Sequence, residues 1–294
     1  MGVFSTAAIT DEFSFDLDAA LDAMAGVGMT GVELRLIGDR NVIDFTDQEL
    51  SDVRRRVERR GMRILSIASP VLKCVLPDAP PLDERFQQDV FGSAYTIADQ
   101  PRLSARALQI AEQTGAGIIR VFSYWRTTAP ERCVDRIVSA LSDLADRAAA
   151  RGLTIGLENE HACNVGTGAE AGRVLAALDH PALKSIWDPA NAFILGETPF
   201  PDGYSKIPPS RIAHVHAKDC VVNGHKATWG ALGTMGVDWR GQLAALHRDG
   251  YRGAISLETH WRGDDGNRLN ASTICGRNLR DLVEEVSQQP ALER

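Results

Sequence analysis

Short apolar segments recur along the chain, most of them followed by a longer stretch whose apolar residues return every three or four positions. The short segments read as strands at 3–10, 31–36, 63–69, 117–122, 154–158, 184–188, 212–219 and 253–258. In 31–36 and 212–219 the alternation has period two, as a pleated strand requires. Between the strands the spacing is helical. Ser14 and Asp16 offer caps before Leu17, Leu21 and Met24, and Gly26 and Gly28 end that helix. Thr46 and Glu49 make a capping box ahead of Leu50, Val53 and Val57, with a stop at Gly61. Further helices are expected at 104–113, at 169–178 after the turn Gly166-Thr167-Gly168, at 238–248 and at 269–286. The longest is expected at 130–150, with Pro130 in its first turn.

Two connections break this rhythm. Residues 71–102 include Pro77, Pro80 and Pro81 and leave room for one short helix around 85–90; a connection that long is expected to be a lid or binding loop. Residues 196–210 carry Pro199, Pro201, Pro208 and Pro209 and should hold little regular helix. No shift of composition marks a linker. Eight strands alternating with helices over 294 residues imply a parallel sheet closed into a (β/α)8 barrel, α/β in class, with one domain spanning 1–294. An open doubly wound sheet fits less well. The first strand lacks a Gly-x-Gly-x-x-Gly turn, and polar strand ends are spread over the whole second half of the chain.

Composition narrows the class. Hydrophobic residues at 44% and charged residues at 24% are ordinary for a soluble globular protein. No apolar run approaches the roughly 18–20 residues of a membrane span, and the first residues lack the basic stretch and apolar core of a secretory signal. The five cysteines are scattered, without a Cys-x-x-Cys pair, which suits a reducing, cytoplasmic setting. A net charge of −7 argues against nucleic acid as a partner. The arginines at 54, 55, 56, 59 and 60 alternate with acids and read as a solvated outer helix face.

The candidate chemistry lies at the strand ends. In Ile212-Ala213-His214-Val215-His216-Ala217-Lys218-Asp219 the two histidines share one strand face. Three other strands end in carboxylates: Glu158, Asp188 and Glu258. In a barrel these four ends meet at one mouth. Three carboxylates and one imidazole make a divalent-metal set, with Glu158, Asp188, His216 and Glu258 as ligands. Such a set suits Mn²⁺ or Mg²⁺ first, and accommodates Co²⁺ or Zn²⁺. Four protein ligands leave room for water or substrate, which marks a catalytic centre. His214, one layer deeper, is a candidate to orient a ligand by hydrogen bond. Lys218 reaches a substrate oxygen or pairs with Asp219 or Glu258. His260 shares a face with Glu258, and Arg262 follows it. Trp125, Trp229 and Trp261 lie in or near loops on the same side, and Glu160 and His161 follow Glu158. Arg35 and Arg120 sit at or inside strands, where they either neutralise the carboxylates or grip substrate.

These motifs resemble the xylose-isomerase-like TIM barrels, a family that includes sugar and sugar-phosphate isomerases and epimerases, inosose dehydratases and endonuclease IV. The resemblance covers nearly the whole chain. It is carried by Gly156-Leu157-Glu158-Asn159, Trp187-Asp188-Pro189-Ala190-Asn191, His214 to Asp219, Gly236-Val237-Asp238-Trp239 and Ser256-Leu257-Glu258-Thr259-His260. It implies metal binding by Glu158, Asp188, His216 and Glu258, with Glu158 and Glu258 also serving as the acid–base pair on a keto-sugar, polyol or sugar acid. A metal bridging a carbonyl and the adjacent hydroxyl acidifies the C–H between them, and the two carboxylates remove and return the proton through an enediolate. Asn191, His214, Lys218, His260 and Arg262 are the expected substrate-binding residues. The chain departs from the sugar-epimerase pattern at Asn191, where those enzymes commonly carry histidine, and at Val222, where they carry arginine.

The first expectation is therefore a metal-dependent isomerase or epimerase of a small carbohydrate. The alternative is a lyase using the same proton abstraction, of the inosose dehydratase or 3-keto-sugar elimination type. An endonuclease IV-like phosphodiesterase would need many more histidines than the seven present. A non-catalytic sugar-binding barrel would lack a ligand or a base, and the motifs lack none. No glycine-rich loop follows strands seven or eight, which favours an unphosphorylated substrate. Pairing through helix faces leaves a homo-oligomer open.

Overall fold

The computed structural model describes residues 3–86 and 95–288. Eight parallel strands close into a barrel: β1 (Ser5–Ile9), β2 (Gly31–Leu34), β3 (Arg63–Ile67), β4 (Ile118–Val121), β5 (Thr154–Glu158), β6 (Leu183–Trp187), β7 (Ile212–Ala217) and β8 (Ala254–Leu257). Each strand pairs with its neighbours in sequence, and β1 closes the ring against β8 with Ser5 opposite Ala254 and Ala7 opposite Ser256. The (β/α)8 reading of the hydrophobic pattern is what the chain adopts. Outside the barrel lie α1 (Leu17–Gly26), α2 (Asp47–Glu58), α3 (Gln100–Thr114), α4 (Val134–Ala149), α5 (Gly168–Ala177), α6 (Pro189–Ile194), α7 (Trp239–Arg248) and α8 (Arg268–Ser287).

Local sequence explains where these helices begin. Thr46 and Thr167 each accept a hydrogen bond from the third residue of the helix, Glu49 and Glu170, whose side chains reach back in a capping box. Asp16 caps α1 through Ala19 N, 2.8 Å away. On α2 the buried stripe is Leu50, Val53 and Val57. The arginines around it are tied to acids on the outer face: Arg54 to Glu58, Arg55 to Asp52, Arg56 to Asp18 and Arg60 to Asp22.

Strand alternation divides the core in two. Residues such as Val32, Leu34, Val215 and Ile255 are buried with the helices in one continuous apolar cluster, while the alternate residues fill the barrel. Small residues are needed where the strands crowd inside it. A Cβ on Gly156 would lie 2.7 Å from Ile186 Cγ1 and 3.1 Å from Ile118 Cγ2, and one on Gly31 would overlap Leu65.

Three local expectations change. Pro130 opens a 3-10 turn, Pro130–Cys133, and the α-helix starts only at Val134, so the longest helix is α8. Strand β2 stops at Leu34; Leu36–Ile37 pairs instead with Arg40–Asn41 in a small hairpin. A second hairpin, Asp219–Asn223 with Lys226–Gly230, follows β7. It carries the Asn-Gly turn signal at Asn223-Gly224. The helix expected around 85–90 lies mostly outside the described residues, beyond a 3-10 turn at Glu84–Phe86. In 196–210 only short turns form, as the prolines require. Among the described residues no helix is long and apolar enough to cross a membrane.

Candidate metal centre

Four consecutive strands deliver the central side chains. Glu158 is the last residue of β5, Asp188 follows β6, His216 lies near the end of β7, and Glu258 follows β8. Parallel closure brings these ends to one mouth, and all four residues are buried. One donor atom from each lies within 4.8 Å of the others. His216 Nδ1 is 2.9 Å from Glu158 Oε1 and 3.7 Å from Glu258 Oε2. Asp188 caps α6 by accepting from Asn191 N through Oδ1, which leaves Oδ2 for the centre. Asp188 Oδ2 and Glu158 Oε2 are buried, and the cations nearest them are Lys218 Nζ at 2.8 Å and Arg120 Nη1 at 3.3 Å. A buried carboxylate needs positive charge or donors beside it, and these oxygens belong to a four-residue cluster that could hold a metal ion.

Charge around the mouth points the same way. Six buried carboxylates, Asp11, Glu12, Glu33, Glu158, Asp188 and Glu258, face three buried fixed cations, Arg35, Arg120 and Lys218. Arg35 spans Asp11, Glu12 and Glu258, at 2.8, 2.5 and 2.9 Å. Arg120 Nη1 lies 3.3 Å from Glu158 Oε2 and 3.6 Å from Glu258 Oε1. Lys218 Nζ sits 2.6 Å from Glu258 Oε2 and 2.8 Å from Asp188 Oδ2. The excess of carboxylate over fixed cation fits a divalent ion.

These contacts set the ionisation. Burial pushes the Glu258 carboxyl up, but Lys218, then His260 and His216, hold it well below the usual carboxylate range. Asp188 is raised, because burial outweighs the attraction of Lys218. Burial would neutralise Lys218; Asp188 and Glu258 instead hold its ammonium charged. His216 is likewise raised against burial by Glu33 and Glu158.

The remaining sequence-derived candidates fall in three places. At the mouth, His260 Nε2 is 3.7 Å from Glu258 Oε1, and its ring meets Trp229 edge-on at 4.8 Å. Arg262 Nη1 is 3.6 Å from Glu12 Oε2. Lys218 pairs with Glu258 and Asp188, while Asp219 accepts the backbone N–H groups of Cys220, Gly233, Met235 and Val237. Beside Asp188, Asn191 donates to Asn159 O, and its Oδ1 is 2.9 Å from His161 Nδ1, which also meets Glu160. Beneath the centre, His214 Nε2 is 2.9 Å from Glu33 Oε1. Of the three tryptophans, Trp229 overhangs the centre, whereas Trp125 packs with Phe122 and Cys163 and Trp261 against the main core.

Sequence reasoning missed Asp11, Glu12 and Glu33. The signal for Glu33 was a lone carboxylate between Val32 and Leu34 in an alternating strand, and for Asp11 and Glu12 an acidic pair directly after strand one. Two further groupings, Glu12–Glu258–His260 and Glu33–His214–His216, also bring donor atoms together. In the first, the Arg35 guanidinium already sits on Glu12 and Glu258; in the second, the groups hydrogen-bond one another.

No curated protein sequence matches the chain. Solved structures share its fold at low identity. The IOLI protein with a binding zinc atom is 16% identical, with a TM-score of 0.73 over 98% of this chain and 100% of that one. A D-allulose 3-epimerase from Methylomonas sp. is 18% identical, with a TM-score of 0.68 over 97% and 99%. The probable 3-DHS dehydratase AsbF from Bacillus anthracis is 17% identical, with a TM-score of 0.69 over 94% and 98%. The family model for the xylose isomerase-like TIM barrel matches residues 21–280. With that span and the closed eight-stranded barrel, the chain belongs to the xylose isomerase-like TIM barrel family.

Proposed function

We propose that the protein is a divalent-metal-dependent isomerase or epimerase of a small keto-sugar, polyol or sugar acid. The observation that carries this reading is the convergence of Glu158, Asp188, His216 and Glu258, whose donor atoms meet in one buried cluster. These four residues would hold the ion. When bound, it supplies Lewis acidity that lowers the cost of placing negative charge on a substrate carbonyl oxygen.

The chain's own groups do the rest. Glu158 and Glu258 stand at the ends of β5 and β8, with two strands between them on the barrel, and so reach a substrate from different sides. Glu258, held ionised by Lys218, removes the proton next to the carbonyl; Glu158, carrying a proton of its own at that stage, delivers it to the neighbouring position or the opposite face. Lys218 and His260 hydrogen-bond the substrate oxygens, Asn191 and Arg262 border it, and His214 acts from beneath. Trp229 and the hairpin it belongs to cover the mouth and exclude water.

A second reading, a lyase, is favoured by one feature. Lys218 is a fully buried ammonium beside Glu258. It is placed to give a proton to a hydroxyl leaving from the carbon beyond the carbanion, so that water departs and a double bond forms. A D-allulose 3-epimerase and a probable 3-DHS dehydratase occur among proteins of this fold.

The test is metal analysis of the wild type and Glu258→Gln, followed by incubation of each with ketoses and keto-inositols in D2O. Metal-dependent deuterium at a carbon next to a carbonyl, lost in the variant, is the expected result. Product analysis separates an epimer from an elimination product. A wild type that takes up no divalent metal overturns the reading; one that holds metal but exchanges no deuterium overturns the substrate class.

A further inference from the structure

We infer that Glu33 is a positioning residue: from the far side of the barrel its carboxylate fixes which nitrogen of His216 faces the four-ligand centre. The inference rests on the metal reading above and concerns how one of those ligands is made ready. Glu33 lies on β2 and is fully buried. Its Oε1 is 2.9 Å from His214 Nε2, 3.2 Å from His216 Nε2 and also accepts the Ser256 hydroxyl; its Oε2 is 3.4 Å from His216 Nε2.

An ionised carboxylate can only accept, so all three partners must donate to it. Both ring nitrogens of His216 face carboxylates, Nδ1 meeting Glu158 Oε1 at 2.9 Å, which suits an imidazolium donating from both; a metal ligand is neutral and has one N–H. With that hydrogen on Nε2 and aimed at Glu33, the lone pair falls on Nδ1, the atom that faces Glu158 and Glu258. The opposite tautomer would set a lone pair against the Glu33 carboxylate at 3.2 Å and remove the donor nitrogen from the centre. A carboxylate–imidazole pair behind a metal ligand orients the ring and raises its basicity.

The same geometry explains the first histidine of the His-x-His pair. The rings of His214 and His216 stand nearly perpendicular, 84° apart, with centroids 5.6 Å apart. Strand alternation places both inside the barrel, one layer apart. A carboxylate withdrawn from water must have its oxygens satisfied from within the protein. His214 and Ser256 do this for Glu33 Oε1, so Glu33 stays charged and in place beneath His216. The group Glu33–His214–His216 therefore satisfies itself beneath the four-ligand centre.

The test compares wild type, Glu33→Gln and Ser256→Ala after stripping with a chelator. Zinc affinity is measured by competition with a chromophoric chelator, and ¹⁵N-histidine NMR of the zinc-loaded protein reads the tautomer. Glutamine keeps the shape but turns an amide N–H toward a partner that also donates. The expected loss of zinc affinity in Glu33→Gln is about 10- to 100-fold, in line with the effect of such outer partners elsewhere, with a smaller loss in Ser256→Ala. In wild type, His216 should be coordinated through Nδ1 and protonated at Nε2. A purely structural role would lower stability and leave both readouts unmoved. Unchanged affinity in Glu33→Gln, or His216 coordinated through Nε2 in wild type, overturns the inference while the metal reading stands. A wild type that binds no zinc or other divalent ion overturns both. Should Glu33→Gln fail to fold, the wild-type tautomer and Ser256→Ala decide.

Discussion

Lys218 and Glu258 form a buried ion pair, Nζ 2.6 Å from Oε2, where the same ammonium also reaches Asp188 Oδ2 at 2.8 Å. Those carboxylates are two of the four proposed ligands, so a bound cation and Lys218 compete for the same negative charge. Replacing Lys218 by methionine, similar in length but uncharged, should separate the two roles. Metal-stripped Lys218→Met should lose about 3–5 kcal/mol of stability, the usual cost of orphaning a buried charge. Its affinity for Mn²⁺ or Zn²⁺ should rise, and turnover should fall. Thermal melts in chelator and in metal, with a metal titration, check this; weaker metal binding in Lys218→Met would mean that the lysine supports the ion.

Residues at strand ends were legible because topology alone delivers them. Once the alternation implies a closed parallel barrel, Glu158, Asp188, His216 and Glu258 must share a mouth, whatever the detail of packing. Glu33 and Arg35 depend on something finer. Their partners lie on or beyond other strands, on β7 and after β1 and β8, and such contacts follow from register and stagger that local periodicity does not carry. Lys218 illustrates the limit. Glu258 was one of its two anticipated partners, but Asp188 became the second because Asp219 is consumed by four backbone N–H groups of its own loop.

Acid should weaken the fold through Glu12. Burial pushes its carboxyl up, yet Arg35, with help from His260 and Arg262, holds it down from 4.5 to about 2. A carboxyl lowered on folding stabilises above its unfolded value, and that stabilisation is lost as pH falls toward the folded value. The window is therefore from about pH 4.5 down to about pH 2, and the contribution at neutral pH is about 3 kcal/mol. Glu33 and Glu258 are lowered as well and act with the same sign. Denaturant unfolding across this range should show Glu12→Gln less stable than wild type at pH 7, with the two curves converging toward pH 2. Parallel curves would remove Glu12 from the account.

Gly156→Ala tests the crowded interior below Glu158. The added methyl would stand 2.7 Å from Ile186 Cγ1 and 2.8 Å from its Cδ1, so Ile186 must shift between β5 and β6. Overpacking of this kind costs about 1–3 kcal/mol. The midpoint of denaturant unfolding should drop accordingly with an unchanged slope. Because Glu158 lies two residues on along the same strand face, metal affinity should fall with it; a loss of stability alone would show that the barrel absorbs the methyl below the centre.

Trp229 tests the cover over the mouth. Its half-buried ring meets the His260 ring at 4.8 Å and lies 5.8 Å from Lys218 Nζ, on a hairpin whose His225 packs edge-on against Phe86 at 5.2 Å. None of these contacts reaches a proposed metal ligand directly, so removing the indole should spare the metal and weaken the hold on substrate. An aromatic wall supplies about 0.5–1.5 kcal/mol beyond simple burial, which corresponds to a roughly two- to tenfold rise in KM for Trp229→Ala. Metal content should stay at the wild-type level, and kcat should change less than KM, because the contact is made equally in the ground state and the transition state. The dependence of deuterium exchange on substrate concentration gives both constants. If kcat and kcat/KM fall together instead, the hairpin takes part in the reacting geometry, and His260, held edge-on beneath the indole and 3.7 Å from Glu258, is the residue through which it would act.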